Sequence, residues 1–251
     1  MKFLIKLNYS ELKNPNELLK FLKTHKVVVL QNYDGVEPIT PYMEKYIDKI
    51  GKIVDEDEDV YTGNLTGKKL IEIAFDPSEQ NLYRTAKAYQ PLHTDYSYIE
   101  VPDNIQFLIC EKCAPKGGAT TFIDGNELVD LIKFDGEFEL LDRLQNIKVG
   151  HKKGDREKLM QILKFENGVW KFNWNYPPAQ RFPNTDEAKK LIDDFRNYLD
   201  KRIEKSGLLT DVLLKDNDVV FFNDSLILHG RNSYFAKNKS DRKLIKGTLV
   251  I

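Results

Sequence analysis

The sequence predicts a mainly β fold with flanking helices, built on a double-sheet jelly roll, the double-stranded β-helix. From residue 104 onward, short extended segments recur, and turn residues such as Gly117-Gly118 separate most of them. The extended segments are 104–110, 120–124, 146–151, 168–175, 218–223 and 242–251. One helix interrupts them, and many short strands with a few covering helices are typical of a jelly roll.

The remaining elements follow from periodicity and turn signals. The segment after residue 184 has a capping start at Asn184-Thr185 and helical apolar spacing towards Ser206-Gly207, which predicts the interrupting helix. Before residue 104, apolar spacing and β-branched runs predict two helices, two strands and a loop. These are a helix at 14–23, a strand at 26–30, a helix at 41–53, a loop at 62–69 and a strand at 70–75.

Composition indicates one globular domain spanning residues 1–251. The chain has 251 residues, 41% of them hydrophobic, which suffices for one sizeable core. A net charge of -1 favours neither nucleic acid nor an anionic membrane as a partner. Lys6 interrupts the N-terminal apolar run, and no stretch approaches the roughly 20 apolar residues of a membrane span. We therefore expect a cytoplasmic protein, with a homo-oligomer left open.

The tripeptide His93-Thr94-Asp95 is the first candidate for chemistry. In an extended segment, side chains two residues apart share a face, so an imidazole and a carboxylate would point together. Two histidines and one carboxylate form the facial triad that holds Fe(II) and leaves positions open. The tripeptide alone is a weak signal, because such short motifs occur by chance.

A third ligand must come from the other three histidines of the chain, His25, His151 and His229. His25 lies between lysines near the end of the first helix, which favours a solvated cation. His151 precedes Lys152-Lys153 and is predicted at the surface end of a strand. His229 follows a buried strand, a polar turn and an apolar run, so it is the preferred third ligand. A buried histidine without a metal is the alternative.

Cys110 and Cys113 are the two cysteines of the chain. A CxxC pair is compatible with half a zinc site or a redox dithiol. A structural zinc needs four ligands, however, and the chain has no second cysteine pair. The pair ends an apolar run instead of opening a helix, so we interpret both as structural thiols.

Several short motifs, taken together and in order, resemble the TauD/TfdA branch of the Fe(II)/2-oxoglutarate-dependent dioxygenases. The resemblance runs from about Val27 to the C-terminus, and Arg242 follows His229 by 13 residues, a usual spacing in that family. The motifs are His93-Thr94-Asp95, Pro115-Lys116-Gly117-Gly118-Ala119-Thr120, Asp218-Val219-Val220-Phe221-Phe222-Asn223-Asp224, His229-Gly230-Arg231 and Arg242.

The resemblance implies a role for each matching residue. His93, Asp95 and His229 would hold Fe(II), and O2 would use an open position. Arg242 would grip the C5 carboxylate of the cosubstrate 2-oxoglutarate, because a guanidinium binds carboxylates bidentately. Thr120 would donate its hydroxyl to the same carboxylate. A surface arginine and a strand threonine are the alternatives for these two positions.

The resemblance also implies hydroxylation with release of succinate and CO2. Halogenating relatives carry Gly or Ala at the position of Asp95, so the carboxylate favours hydroxylation over halogenation. Desaturation remains open, because it begins with the same hydrogen abstraction. A non-catalytic metal-binding or sensing protein is another alternative, since fold does not fix function. A zinc hydrolase is a third, although the chain has no HExxH element.

The substrate is the least visible feature of the sequence. Tyr98, Lys246 and Arg84 are candidates for substrate contacts; on a strand, Lys246 shares a face with Arg242. The aromatic segment 170–178 either lines the pocket or is core. Its amides, Asn173 and Asn175, are candidate donors that favour a small polar substrate, such as an amino acid or a related small acid.

Overall fold

The computed structural model describes residues 1–54, 59, 65–99 and 104–251. These residues form the α-helices α1 (Pro15–Thr24), α2 (Ile39–Ile47), α3 (Gly125–Phe134), α4 (Phe138–Asn146), α5 (Tyr176–Arg181) and α6 (Asp186–Tyr198). Their strands are β1 (Lys2–Asn8), β2 (His25–Gln31), β3 (Lys52–Ile53), β4 (Ile71–Ala74), β5 (Gln90–His93), β6 (Asn104–Lys112), β7 (Lys116–Gly117), β8 (Thr120–Asp124), β9 (Lys148–Lys153), β10 (Arg156–Gln161), β11 (Leu163–Glu166), β12 (Val169–Phe172), β13 (Thr210–Val212), β14 (Val219–Asn223), β15 (Ile227–Arg231), β16 (Tyr234–Phe235) and β17 (Lys243–Val250). None of the helices in these ranges is long and apolar enough to cross a membrane.

Two sheets carry most of the strands in the described ranges. The large sheet has the strand order β1-β2-β14-β6-β17-β3, with β4 also paired to β17. Within it β1 and β2 are parallel, and the other pairs are antiparallel. The small sheet has the order β13-β8-β15-β5 and is antiparallel throughout. Because sequence neighbours are rarely sheet neighbours, the small sheet brings residues of distant segments together.

Alternating apolar side chains divide the core into layers. Along β2, Val27 and Val29 face the small sheet, whereas Val28 and Leu30 pack against α1 and α2. The opposite face of the small sheet, which includes Leu228, packs against α3, α4 and α6. This arrangement follows from the period of two in a strand, which sends successive side chains to opposite faces. The two sheets therefore lie face to face, and helices cover both outer surfaces.

Most of the predicted elements are present. The helix predicted at 14–23 is observed as α1, shifted by one residue. Asn14 caps it, and the Asn14 side chain accepts the Asn16 N–H at 3.0 Å. The predicted interrupting helix begins after Thr185, which accepts the Ala188 N–H at 3.2 Å. The strands predicted at 26–30, 70–75, 104–110, 120–124, 218–223 and 242–251 correspond to β2, β4, β6, β8, β14 and β17. Residues 62–64 of the predicted loop lie outside the described ranges.

The prediction of a helix over 41–53 was wrong at its end. The helix stops at Ile47, and Lys52–Ile53 pairs with β17 as a short strand. A side chain at Gly51 would collide with the carbonyl of Val250, so this position brings the chain close to the sheet edge. Sheet pairing at Ile53 therefore outweighs the helical spacing of the segment.

The prediction of a single helix after residue 104 was also wrong, because α3, α4 and the short α5 were missed. Asp124 ends β8 and at once caps α3, accepting the Asn126 N–H at 2.7 Å. No glycine or proline cluster separates the strand from the helix, so the turn signal was absent. The segments 146–151 and 168–175 are consequently shifted or shorter: α4 extends to Asn146, and β12 ends at Phe172.

The interpretation of His25 as a solvated cation was wrong. His25 is the first residue of β2 and is only 9% exposed. Its Nδ1 lies 3.0 Å from the Thr24 hydroxyl. The prediction took the flanking lysines as a sign of the surface. One of them, Lys26, is itself buried, with 1% exposure.

Lys26 joins the two sheets through a buried ion pair. Its Nζ lies 2.7 Å from Asp124 Oδ1, which connects β2 of the large sheet to the end of β8 in the small sheet. We predict that Lys26→Met lowers the free energy of unfolding by about 3 kcal/mol, because it leaves a buried carboxylate without its cation. Urea unfolding measures this loss, and Lys26→Met with Asp124→Asn should recover most of it.

Lys112 provides the control for this prediction. Its ion pair with Asp216 has a similar N–O distance of 2.8 Å but lies at the surface, where 55% of the lysine side chain is exposed. Lys112→Met should therefore cost less than about 1 kcal/mol. If the Lys26 and Lys112 variants lose equal free energy of unfolding, the buried ion pair does not stabilise the fold more than the surface pair does.

Candidate metal centre

The pairing of β5 with β15 brings two of the predicted ligands together. His93 and His229 lie directly opposite each other in the antiparallel register, and their ring centroids are 4.2 Å apart. Residues opposite each other in a ladder project to the same face. His229 also packs 4.7 Å from the ring of Phe222 on the large sheet. Both imidazoles therefore point into the space between the two sheets.

Asp95, two residues past His93, completes the group. Its Oδ1 lies 3.7 Å from His93 Nε2, and its Oδ2 lies 3.6 Å from His229 Nε2. Ligand atoms of the three residues all lie within 4.8 Å of one another. Two ligands bonded to one ion at about 2.1 Å can be at most about 4.2 Å apart, so both measured distances suit a shared ion. The structure thus brings together the three residues that the sequence predicted.

The hydrogen bonds of His93 place its proton on Nδ1, so that Nε2, which faces the other ligand atoms, keeps its lone pair. His93 Nδ1 lies 2.8 Å from the Pro91 carbonyl oxygen, which only accepts, so Nδ1 carries the proton. The Nε2 atom is then free to bind a metal, and at present it accepts from the Gln90 side-chain amide at 3.1 Å. Gln90 was not a sequence candidate, and its position beside a ligand atom depends on tertiary contacts. A neutral imidazole with a fixed tautomer is the form that metals bind.

The electrostatics of the group favour an ionised Asp95 carboxylate and a neutral His229 imidazole. Burial alone would raise the pKa of Asp95, but the Lys246 ammonium, together with His229 and His93, holds it well below its usual range. Lys246 Nζ lies 2.7 Å from Asp95 Oδ2. Burial, with His93 alongside, lowers the pKa of His229 well below its ordinary value. This donor set is therefore ready for a divalent cation near neutral pH.

A fourth side chain, Asp224, lies directly behind the ligands. Both of its oxygens accept the backbone N–H of Asp95, at 3.1 and 3.0 Å. Burial and the nearby Asp95 carboxylate raise the pKa of Asp224 to about 7. The sequence contained this residue in a motif but gave no sign of its contact, because Asp95 is distant along the chain.

Segment 170–178 holds the ligand loop in place and does not offer its amides to a substrate. Thr94 N–H donates to the Trp174 carbonyl at 2.6 Å, and the Asn175 side chain donates to the Thr94 carbonyl at 3.2 Å. The Asn173 side chain donates to the Ser97 carbonyl at 3.1 Å. The expectation that Asn173 and Asn175 are free donors was therefore wrong, and Trp174 is fully buried core.

The prediction of a surface position for His151 was wrong as well. His151 lies within β9 and is completely buried. Its Nε2 accepts the Asn175 N–H at 3.5 Å, and its Nδ1 lies 3.4 Å from Asn173 Nδ2. Burial lowers the pKa of His151 to about 4. The following lysines indicated the surface, but the side chain supports the segment that holds the ligand loop.

The two candidate cosubstrate residues, Arg242 and Thr120, are both buried. Arg242 is 3% exposed, its guanidinium stacks 4.6 Å from the Tyr234 ring centroid, and its Nη1 has no hydrogen-bond partner among the described residues. A buried N–H without an acceptor is costly, so this atom points to an anionic ligand. A Cβ on Gly118 would lie 3.5 Å from Arg242 Nε, which shows how closely this turn approaches the guanidinium. Thr120 begins β8 opposite Arg231 and is 5% exposed.

Arg231 has a structural role that the sequence did not reveal. Its guanidinium donates to the carbonyls of Tyr83 and Ala86, at 2.9 and 2.8 Å, and to that of Ala88 at 2.8 Å. Burial lowers the pKa of Arg231 to about 10, and the neighbouring Arg242 contributes. Arg231 therefore fixes the segment that leads into β5 and His93.

A family model for the taurine catabolism dioxygenases, described as the TauD, TfdA family, matches residues 6–248. The chain belongs to this family. Its members are iron- and 2-oxoglutarate-dependent dioxygenases that consume O2, which confirms the predicted enzyme class and cofactors.

Individual relatives of this TauD/TfdA protein are distant. It is 24% identical to human gamma-butyrobetaine dioxygenase over 172 residues, which cover 64% of this chain and 44% of the human protein. The chain thus matches less than half the length of that relative.

Solved structures share the fold. An asparagine oxygenase bound to Fe(II), 3-hydroxyasparagine and succinate superposes with a TM-score of 0.71 at 12% identity, covering 94% of this chain and 78% of that chain. The oxygenase OrfP, bound to Fe, succinate and (3S)-hydroxy-L-Arg, superposes with a TM-score of 0.66 at 15% identity, covering 94% and 79%. At this identity the likeness establishes the fold alone.

The three candidate substrate residues of this TauD/TfdA chain lie in different surroundings. Lys246 reaches the ligand group, as its contact with Asp95 shows. Tyr98 is 7% exposed, and its hydroxyl accepts from Lys153 Nζ at 3.3 Å. Arg84 Nε donates to the Glu72 carbonyl at 3.2 Å, so this side chain lies along β4. Substrate contact stays a prediction for all three.

Cys110 and Cys113 are free thiols in the structure. Cys110 is buried, and burial raises the pKa of its thiol to about 12. The Cys113 N–H donates to Asp216 at 2.7 Å. A protonated, buried thiol at the end of β6 agrees with the structural interpretation.

The buried His151 predicts a loss of stability in mild acid. Its pKa is about 4 in the folded protein and 6.5 in the unfolded chain, so below pH 6.5 the unfolded state binds the extra proton. The free energy of unfolding therefore falls as the pH drops from 6.5 towards 4, by about 2 kcal/mol at pH 5 from this residue. Urea unfolding at pH 7 and pH 5 measures the effect, and His151→Gln should reduce the difference by that amount. An unchanged difference in the variant would contradict the assignment.

Proposed function

We propose that this chain hydroxylates an unactivated C–H bond of a small polar substrate, with release of succinate and CO2. The observation that supports this most is the convergence of His93, Asp95 and His229 between the sheets. The buried Arg242 guanidinium adds a group that a metal-binding or sensing protein without a cosubstrate would not need.

In this proposal each residue has a defined part. His93, Asp95 and His229 would hold Fe(II) from one side and leave the opposite side open for 2-oxoglutarate and O2. Arg242 binds the C5 carboxylate of 2-oxoglutarate, and Thr120 donates its hydroxyl to the same group. Iron, 2-oxoglutarate and O2 together supply the oxidising power for C–H hydroxylation.

Asp95 supports oxygen insertion over halogenation, because its carboxylate occupies the position that halogenating relatives leave to chloride. Desaturation is the alternative outcome for the same site. Mass spectrometry of the product distinguishes them, since hydroxylation adds one oxygen atom whereas desaturation removes two hydrogen atoms.

The proposed substrate class is an amino acid or a related small acid. Lys246 brings an ammonium to the ligand group, where it can bind a carboxylate or another acid group of the substrate. Among the proteins of similar fold, one is an asparagine oxygenase and another was solved with a hydroxylated arginine. These relatives support an amino acid without identifying it, and Tyr98 and Arg84 remain candidate contacts.

The architecture and setting of the enzyme are part of the same proposal. We infer that the two facing sheets are a double-stranded β-helix and that residues 1–251 form one catalytic domain. We further infer a cytoplasmic enzyme with a small-molecule substrate, for which neither nucleic acid nor a membrane is needed.

Formation of the cosubstrate chelate is the decisive test. In the absence of O2, the protein with Fe(II) and 2-oxoglutarate should show a weak metal-to-ligand charge-transfer band in the visible spectrum. Arg242→Gln should raise the 2-oxoglutarate concentration needed for the band at least about thirtyfold, because losing one partner of a buried charge pair costs about 2–5 kcal/mol. Asp95→Gly should weaken iron binding.

Arg202→Gln is the matched control for the arginine variant. Arg202 binds Asp135 at the surface, 2.7 Å away, and should leave the titration unchanged. A folded wild-type protein that forms no band would exclude the proposed function and favour a non-catalytic metal protein.

Lys246 gives a test of the substrate class. A screen of amino acids and small acids for substrate-dependent succinate release identifies the substrate. With an acidic substrate, Lys246→Ala should raise KM by about tenfold or more, because a hydrogen bond to a charged group contributes about 1.5–3 kcal/mol. Lys246→Arg should retain part of the affinity.

Lys243 on the same strand is the control for this variant. Its Nζ lies 2.8 Å from Glu111 Oε2, in contact with a different carboxylate. Lys243→Ala should therefore leave KM unchanged. A KM that is equally unaffected by Lys246→Ala would remove Lys246 from the substrate site.

A further inference from the structure

Asp224 is the most buried carboxylate beside the proposed metal ligands. It follows β14 directly, in a short turn that leads into β15, and only 3% of its surface is exposed. Buried carboxylates require hydrogen-bond donors or cations, because desolvation is costly. The donors that Asp224 finds therefore indicate what it does.

The first donor belongs to one metal ligand. The backbone N–H of Asp95 lies 3.1 Å from Asp224 Oδ1 and 3.0 Å from Oδ2, so one donor is shared between both oxygens. This contact fixes the peptide that carries the Asp95 side chain. It also connects the loop after β5 to the turn before β15.

A second nitrogen close to Asp224 belongs to another metal ligand. Asp224 Oδ1 lies 3.5 Å from His229 Nδ1, a buried atom that has no hydrogen-bond partner among the described residues. His229 Nε2 faces Asp95 and the other ligand atoms. If Nε2 binds a metal through its lone pair, Nδ1 must carry the proton, and Asp224 is the acceptor in line for it.

We propose that Asp224 is a positioning residue whose single carboxylate orients two metal ligands, Asp95 through its backbone N–H and His229 through Nδ1–H. A carboxylate behind a ligating histidine fixes its tautomer and ring orientation and increases its basicity. Asp224 thereby holds both ligands in the spacing that one ion requires. This inference rests on the metal centre of the proposed function.

Metal affinity without turnover tests the role. Titration of the protein with Co(II), followed by its visible absorption, measures the dissociation constant. Asp224→Asn is nearly isosteric, but it removes the negative charge and places an amide NH2 donor at an oxygen position that now accepts the Asp95 N–H. We expect a 10- to 100-fold weaker affinity, the usual effect of losing such a partner.

Asp218 offers a matched control at the opposite end of β14. It is equally buried at 2% exposure and accepts the Lys215 N–H at 2.9 Å, away from the ligand group. Asp218→Asn should bind Co(II) as the wild type does. A wild type that binds no Co(II) would contradict the proposed metal centre itself. A wild type and an Asp224→Asn variant of equal affinity would overturn the role of Asp224 alone.

A measurement on the wild type keeps the inference testable if the variant fails to fold. In the protein loaded with diamagnetic Zn(II), nitrogen NMR of the histidine rings should show His229 protonated at Nδ1. Its proton should exchange slowly with water because Asp224 accepts it. A ring protonated at Nε2, or an Nδ1 proton that exchanges rapidly, would overturn the proposal.

Discussion

The ionised carboxylate of Asp95 imposes the main physical constraint on this protein, because a largely buried anion is unstable without cations or donors around it. Lys246 supplies a cation at 2.7 Å, and the two imidazoles approach within 3.7 Å. The surrounding structure holds these partners in place. Segment 170–178 fixes the backbone on either side of Asp95, and His151 lies behind that segment without a charge of its own near neutral pH.

The pairing of β5 with β15 determines where the two imidazoles lie relative to Asp95. His93 and His229 face each other because they are direct partners in the β5–β15 pairing, and a shift of one residue at this point would turn either ring away. Gly230 permits the close approach, since a Cβ there would lie 2.6 Å from the Gln90 carbonyl oxygen. Arg231, the next residue, holds the segment before β5 through three carbonyls. In the motif His229-Gly230-Arg231, the histidine is a candidate metal ligand, the glycine allows β5 to approach closely, and the arginine holds the segment before β5.

The sequence allowed prediction of those site residues that a local pattern identifies. The ligand pair His93 and Asp95 could be predicted from the period of a strand, and His229 from the small number of histidines. Asp224 could not be assigned a contact, because its partners come from a remote loop and no local pattern encodes that approach. The same limit explains His151, whose lysine neighbours suggested water while tertiary packing buried it. The helix α3 was missed because Asp124 serves both as strand end and as helix cap.

The two buried acids also explain why Lys246 lies so close to the ligands. The Asp224 carboxylate accepts the backbone N–H of Asp95 and so lies close to the Asp95 carboxylate, and the two negative charges repel each other unless positive charge is near. In the protein without metal, the Lys246 ammonium provides it. In the proposed function, Asp95 would bind a divalent ion, which would supply further positive charge beside the two acids. With that charge in place, the Lys246 ammonium would be available to an acid group of the proposed substrate, which connects metal binding to the proposed substrate class through a single side chain.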